Sequence, residues 1–291
     1  MSSTRDAVRT MCMAIEQYLD GVTDVVRNWP SAPVTDSVAA KEAVSISPFV
    51  MTAASHASLS IEDGGDHLIG LTKLVVEPAT ATACFTCIRS MLESCAIGAW
   101  LVDPNIDQTK RQARVFAFRR SGIIECRKFA SCTANTLMEG KFNNNITLLE
   151  QEATAAGFQL TIPPDSKSGI GIKMPGATEM IRDVLGLDRI YRLLSGIAHG
   201  HQWARQIMYK QTGSAQVAGT QGVLLTKTLS TESFMLITHS GFLALTKLLW
   251  NRSRFWGSNT DQLEELVENA ADKLQIKLQD RFWRSTATVE S

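Results

Sequence analysis

Apolar residues recur every three or four positions along most of the chain, and this period constrains the fold more than any other feature. The first such segment contains Val8, Met11, Ile15, Tyr18 and Leu19. Residues with this spacing share one face of a helix, whereas a half-buried strand alternates apolar and polar residues. Because such segments follow one another with short connections, the sequence predicts an all-α fold, a multi-helix bundle of about eight helices.

Proline and small polar residues suggest how the chain is divided. We expect an N-terminal helix over 1–29, a linker over 30–47, and a helical domain over 48–291. The linker contains Pro30 and Pro33, which interrupt the helical period. The domain is expected to start with a helix near Pro48.

Within the domain, long helices are predicted over 106–137 and 188–209, with a turn at 143–145 and a C-terminal helical pair over 230–284. Residues 159–176 break the pattern and predict an irregular loop or a short hairpin.

A loop is predicted over 213–222, where glycine and small polar residues are frequent. Val223–Leu229 after it is predicted to be at most a single extended piece.

Composition narrows the class of protein. The chain has 29 basic and 29 acidic residues and no net charge, which argues against a dedicated DNA-binding domain with one basic face. No run reaches the ~18 uncharged apolar residues of a membrane span, and the N-terminal pattern does not resemble a signal peptide. We therefore expect a soluble, cytoplasmic protein without membrane contact.

Six cysteines in 291 residues do not predict a disulfide scaffold. Cys84 and Cys87 form a C-x-x-C on an apolar segment, but no strand precedes them as in redox proteins. Zinc would need two further ligands, and the spacing of Cys126 and Cys132 does not suit them. We expect neither a metal nor a cofactor, and the role of the C-x-x-C stays open.

The segment 191–201 has the most unusual sequence in the chain. Arg192 and His199 are seven residues apart, so two helical turns would place them on one face with Ser195 between them. Tyr191, Ser195 and His199 also follow one another at four-residue spacing. Gly196 is unfavourable inside a helix by about 1 kcal/mol relative to alanine, which indicates a close approach by a packed helix or a ligand.

This combination of residue types suits phosphate chemistry. A neutral histidine can take a proton from a hydroxyl near pH 7, and an arginine can hold a phosphate by paired hydrogen bonds. Arginine and histidine without metal-binding carboxylates suit metal-free cleavage of RNA through its own 2′-hydroxyl.

The Arg192-x6-His199 pattern, late in an all-α chain, resembles the R-x(4–6)-H motif of the HEPN superfamily. The phrase from Tyr191 to Gly200 is also similar to a stretch in uncharacterised bacterial helical proteins of this type. The resemblance covers about 79–205 and implies a HEPN-like helical fold there. It implies a metal-independent endoribonuclease of toxin or defence type that works as a homodimer on RNA or nucleotides, although other family members only bind or scaffold.

In that hypothesis His199 is the general acid or base and Arg192 clamps the phosphate. The residues expected to bind or orient the substrate are Tyr191, Ser195, Arg89, Glu93 and His201. Whether the chain is an enzyme is left open, because the same residues suit a non-enzymatic binding protein in which Tyr191 to His199 form a structural polar seam. A small-molecule pocket near Tyr191 and Trp100 is a third hypothesis.

Arg89 and Glu93 lie four residues apart on an otherwise apolar helix. They predict either a simple intrahelical salt bridge or a contact from this pair to Tyr191 or His199 across the bundle. Residues 103–128 carry seven lysines and arginines. These predict either a solvated helix face or a set of phosphate contacts.

Overall fold

The computed structural model describes residues 2–75, 80–161, 169–217 and 223–277. Within these ranges the chain forms ten helices and two short antiparallel strand pairs, which confirms the all-α multi-helix bundle. The helices are α1 (Ser2–Arg27), α2 (Val38–Val75), α3 (Ala81–Leu101), α4 (Gln108–Cys132), α5 (Thr136–Ala155), α6 (Ala177–Leu185), α7 (Asp188–Ala198), α8 (Gln202–Met208), α9 (Thr231–Trp256) and α10 (Asp261–Lys273). The strands are β1 (Leu160–Thr161), β2 (Gly169–Ile170), β3 (Tyr209–Gln216) and β4 (Val223–Leu229).

Helices α2, α3 and α9 form the centre of the bundle. Leu68, Phe85, Ile88, Phe234 and Phe242 from these helices are fully or almost fully buried. Helix α1 packs against α10, while α6 and α7 pack against α3 and place the segment 191–201 beside the central layer. One continuous apolar core includes residues from α1 to α10.

Among the described residues, one helix, α2, is long and apolar enough to cross a membrane, judged by length and composition. Of its most apolar window, 44% is buried inside the bundle. This helix packs against α1, α3, α4 and α9.

The expected linker is shorter than predicted. Helix α2 begins at Val38, because the Ser37 hydroxyl caps it by accepting a hydrogen bond of 3.0 Å from the amide of Ala40. The predicted helix start at Pro48 is therefore wrong. Proline lies instead next to a kink at Ile46, whose backbone is non-helical, as expected where the ring removes a helical hydrogen bond.

The predicted turn at 143–145 is also wrong. Helix α5 runs through it, because the buried residues Ile146, Leu149 and Ala153 continue its apolar side and the asparagines face away from the core. The predicted long helix over 106–137 instead ends at Cys132, and the Asn135 side chain caps α5 by accepting from the Met138 amide.

Arginines of α4 are used inside the fold. Arg111 is 0% exposed: its Nε donates to Glu42 Oε2 at 2.6 Å, and its Nη atoms donate to the carbonyls of Leu101 and Asp103. Its guanidinium also lies 4.3 Å from the centre of the Phe255 ring. Arg114 is buried beside Asp103. For these two residues, both the solvated-face and the phosphate-contact hypotheses are wrong.

Two regions outside the helices are hairpins. Strands β1 and β2 pair within the stretch predicted as a loop or a short hairpin, and its residues 162–168, with Pro163 and Pro164, lie outside the described residues. Strand β3 pairs with β4. It includes Tyr209, which was predicted to end a helix, and residues 213–216, which were predicted to belong to a loop. The β3 side chains are mostly exposed, so no apolar alternation marked this strand in the sequence.

The predicted C-terminal pair corresponds to α9 and α10, but its second helix is shorter than predicted, because α10 ends at Lys273 with Leu274 as its C-cap. Its expected end, over 278–284, lies outside the described residues.

Candidate functional site

The helix predicted over 188–209 is interrupted at the candidate site. Helix α7 ends at Ala198, His199 is its C-cap, and Gly200 has a positive φ of 76°. The amide of Gly200 donates to the Ile197 carbonyl at 3.0 Å, and the amide of His201 donates to the Gly196 carbonyl at 2.8 Å. These two bonds and the left-handed glycine form a Schellman motif, which satisfies the last carbonyls of a helix and turns the chain away.

His199 nevertheless keeps its place relative to Arg192. Its amide donates to the Ser195 carbonyl at 3.0 Å, as in a helix. The backbone is therefore helical up to this position, and residues seven apart lie on one side. Both side chains are exposed, with Ser195 half-buried between them. No hydrogen bond or ion pair engages the Arg192 guanidinium or the His199 ring within the described part of the chain.

Tyr191 lies on the buried side of α7. Its hydroxyl donates to Glu93 Oε1 at 2.7 Å, and Arg89 Nη2 lies 3.0 Å from the same carboxylate oxygen. The Arg89 guanidinium also lies 5.8 Å from the centre of the Tyr191 ring. Burial raises the pKa of Tyr191, and the hydrogen bond to the Glu93 carboxylate raises it further.

The predicted site residues thus form two groups. Arg89 and Glu93 make the intrahelical salt bridge and also the predicted contact with Tyr191, so both expectations for this pair are met in the geometry. Arg192 and His199 lie on the exposed side of the same helix. A hydrogen-bonded seam through Tyr191, Ser195 and His199 is present only at its Tyr191 end, because the His199 side chain is exposed.

The close approach predicted at Gly196 comes from helix α8. A Cβ added at Gly196 would lie 2.9 Å from the Ala204 Cβ and 2.9 Å from the Trp203 Cζ2. Real side chains avoid such distances, so only glycine allows α8 to fold back onto α7 here. Gly196 follows Arg192 by four residues and precedes His199 by three. Trp203 therefore packs on α7 between these two positions.

One signal was missed in the sequence. From Arg189 to Thr231 the chain contains no aspartate or glutamate, although the whole chain is neutral. Five exposed cationic or titratable residues of α7, α8 and their connection lie in this stretch, and we call them the cationic surface: Arg189, Arg192, His199, His201 and Arg205. A count of acidic residues along the chain would have located this cationic surface, because a net charge of zero for the whole chain can conceal a local excess of positive charge.

No metal site is found at this surface among the described residues. The rings of His199 and His201 are 6.4 Å apart, and no group of three metal-ligating side chains occurs in the described ranges. The two cavities described lie elsewhere, one of about 280 Å³ between α1 and α10 and one of about 630 Å³ at the start of α3. The Trp100 ring is buried and packs against the Arg114 guanidinium.

Comparison of the chain with protein-family models, curated proteins and solved structures gave no match.

Proposed function

We propose that this protein binds RNA through the cationic surface. The observation that carries the proposal is the exposure of Arg192 and His199 on one side of α7, where neither side chain has a partner within the described residues. Arginines that serve the fold are buried and paired, as Arg111 is, whereas a free and exposed arginine is available to a phosphate. From Arg189 to Thr231 the chain adds no carboxylate that would repel a polyanion, and Asp188 lies one helical turn before Arg192.

Metal-independent cleavage is the second candidate function, favoured by the placement of His199 beside Arg192. In this reaction His199 takes the proton of a 2′-hydroxyl while the 2′ oxygen attacks the adjacent phosphorus. The bond from phosphorus to the 5′ oxygen breaks, which leaves a 2′,3′-cyclic phosphate, and the departing 5′ oxygen takes a proton from water to become a 5′-hydroxyl. Arg192 stabilises the charge on the phosphoryl oxygens.

The remaining predicted site residues have supporting roles. Tyr191, held by Glu93 and Arg89, fixes the position of α7 against α3 rather than touching RNA. Ser195 and His201 lie beside Arg192 and His199 and are available to orient the substrate. In a cytoplasmic toxin or defence protein of this kind, a homodimer would bring two such surfaces together, and a bound anion would offset the repulsion between their cations.

The test measures binding and cleavage of a mixed RNA by purified protein in EDTA. Arg192→Ala and His199→Ala are compared with Arg27→Ala, which removes an exposed arginine far along the chain, on α1. We expect Arg192→Ala to weaken binding and to reduce the slope of log affinity against log salt by roughly 0.7, the value for one lost phosphate contact. Arg27→Ala should bind as the wild type does.

Cleavage by the wild type that both site variants abolish would establish the metal-free nuclease. Binding without cleavage would make the protein a non-enzymatic RNA-binding protein. Absence of RNA binding at low salt would refute the proposal and favour a protein-interaction role. Circular dichroism of each variant shows whether the helical fold is kept, and light scattering gives the oligomeric state.

A further inference from the structure

Trp203 is the most exposed tryptophan of the described residues. It is 50% exposed, whereas the tryptophans at 100, 250 and 256 are buried in the core. Ile207, four residues later on the same face of α8, is 64% exposed. A helix of only two turns therefore presents an apolar strip to solvent, and such a strip suggests a binding partner.

The position of the Trp203 ring is fixed by α7. Its Cζ2 and Cε2 atoms would lie 2.9 Å and 3.4 Å from a Cβ added at Gly196, so the helix backs this part of the indole. The side chain, half of which is exposed, thus lies against α7 at Gly196, four residues after Arg192 and three before His199. A flat group stacked on the ring would thus have cationic side chains close to both of its ends.

We propose that Trp203 is a stacking platform for an unpaired nucleobase, which makes the cationic surface selective for single-stranded over double-stranded RNA. The inference rests on the proposed function. Every base offers a flat face to an aromatic ring, but in a duplex the neighbouring base pairs cover these faces. A stacked base would bring its phosphates to Arg192 and Arg205, so the platform and the charges act on one ligand.

Charge favours RNA over a second copy of the chain as the occupant. An isologous contact at this strip would place the cationic residues of one copy against the same residues of the other. The stretch contains no acidic residue to neutralise them. RNA with unpaired bases can place its base rings on the apolar strip and its phosphates beside the surrounding cationic residues.

The test compares the affinities of the full-length protein for a 12-nucleotide single strand and for a blunt duplex of the same length. We expect Trp203→Ala to weaken binding of the single strand about ten-fold and to leave binding of the duplex unchanged. Trp203→Phe should retain most of the preference because a ring remains. Leu137→Ala, which removes an 84% exposed apolar side chain from α5, is the matched control. Arg192→Ala should weaken binding of both probes.

The tryptophan emission supplies a second measurement. Stacking should quench part of the wild-type emission on titration with single strand, and this change should be absent in Trp203→Phe. Equal effects of Trp203→Ala on both probes, or none on either, would overturn the platform and leave RNA binding intact. Loss of self-association in Trp203→Ala with unchanged RNA binding would also overturn it. If the wild type binds neither probe, the proposed function itself fails.

Discussion

Gly200 and Gly196 shape the candidate site through different properties of glycine. Gly200 accepts a left-handed backbone conformation that ends α7, and so it separates His199 from His201. Gly196 lacks the Cβ that would keep α8 from packing on α7. Trp203 packs on α7 at Gly196 only because Gly200 ends the helix and Gly196 has no Cβ in the way of the indole ring.

We predict that Gly196→Ala destabilises the fold by about 1 kcal/mol. Alanine is favoured in a helix by about 1 kcal/mol, but overpacking against Trp203 and Ala204 costs roughly 1–3 kcal/mol. Gly122→Ala is the matched control, because Gly122 lies inside α4 and a Cβ there meets nothing within 4 Å. Urea unfolding should show a gain of up to about 1 kcal/mol for Gly122→Ala. Equal stabilisation of both variants would contradict the observed packing at Gly196.

At the scale of helices, the Arg111 side chain joins α2, α4 and α9 with the end of α3. Its guanidinium donates to Glu42 and to the carbonyl oxygens of Leu101 and Asp103, and the Phe255 ring covers its face. Burial lowers the pKa of Arg111, and the Glu42 hydrogen bond and charge oppose that shift. A charged Arg111 is therefore tolerated in the core only when the Glu42 carboxylate is there to neutralise it.

Glu42→Gln should lower the free energy of unfolding by about 3 kcal/mol. The amide keeps nearly the same shape but leaves the Arg111 charge buried without its counterion. Glu16→Gln serves as the control, since Glu16 pairs with Lys73 at the surface, where such pairs contribute less than about 1 kcal/mol. Urea unfolding of both variants measures the difference. Similar small losses would show that the buried pair has no special role.

For the whole molecule, two histidines link stability to pH. Burial lowers the pKa of His56, which packs on the Phe118 ring, although the nearby Asp63 opposes the shift. Burial also lowers the pKa of His239, whose Nε2 lies 2.9 Å from the Leu274 carbonyl oxygen and so joins α9 to the end of α10. Both side chains are therefore harder to protonate in the folded chain than in the unfolded one.

Stability should consequently fall on acidification. With folded pKa values below the unfolded value of about 6.5, the unfolded chain binds more protons, so the free energy of unfolding is greatest above that pH. It decreases as the pH falls from about 6.5 towards the folded pKa values, by at most about 1.4 kcal/mol per pH unit for each histidine. Urea unfolding between pH 7.5 and 5 measures this slope. The double variant His56→Gln/His239→Asn should flatten it, and an unchanged slope would exclude these two groups as the cause.

The sequence by itself determined the helical class, because the apolar period depends only on residues three and four positions apart. It also contains the end of α7: Ala-His-Gly is a typical helix terminus, although the prediction continued the helix through Gly200. The placement of Arg192 and His199 on one side of α7 follows from the same local geometry. The acid-free stretch is likewise visible in the sequence alone.

Only the tertiary structure decided which charged groups are buried and which are free. The Arg111–Glu42 pair joins residues 69 positions apart, and the Tyr191–Glu93 hydrogen bond spans 98 positions. No local pattern specifies such contacts, because they depend on how whole helices pack. The pairing of β3 with β4 could not be predicted from the sequence either, because the mostly exposed β3 shows no alternation of apolar and polar residues. The packing of helices that are distant in sequence therefore decides which arginines are buried in ion pairs, as Arg111 is, and which stay exposed to a ligand, as Arg192 does.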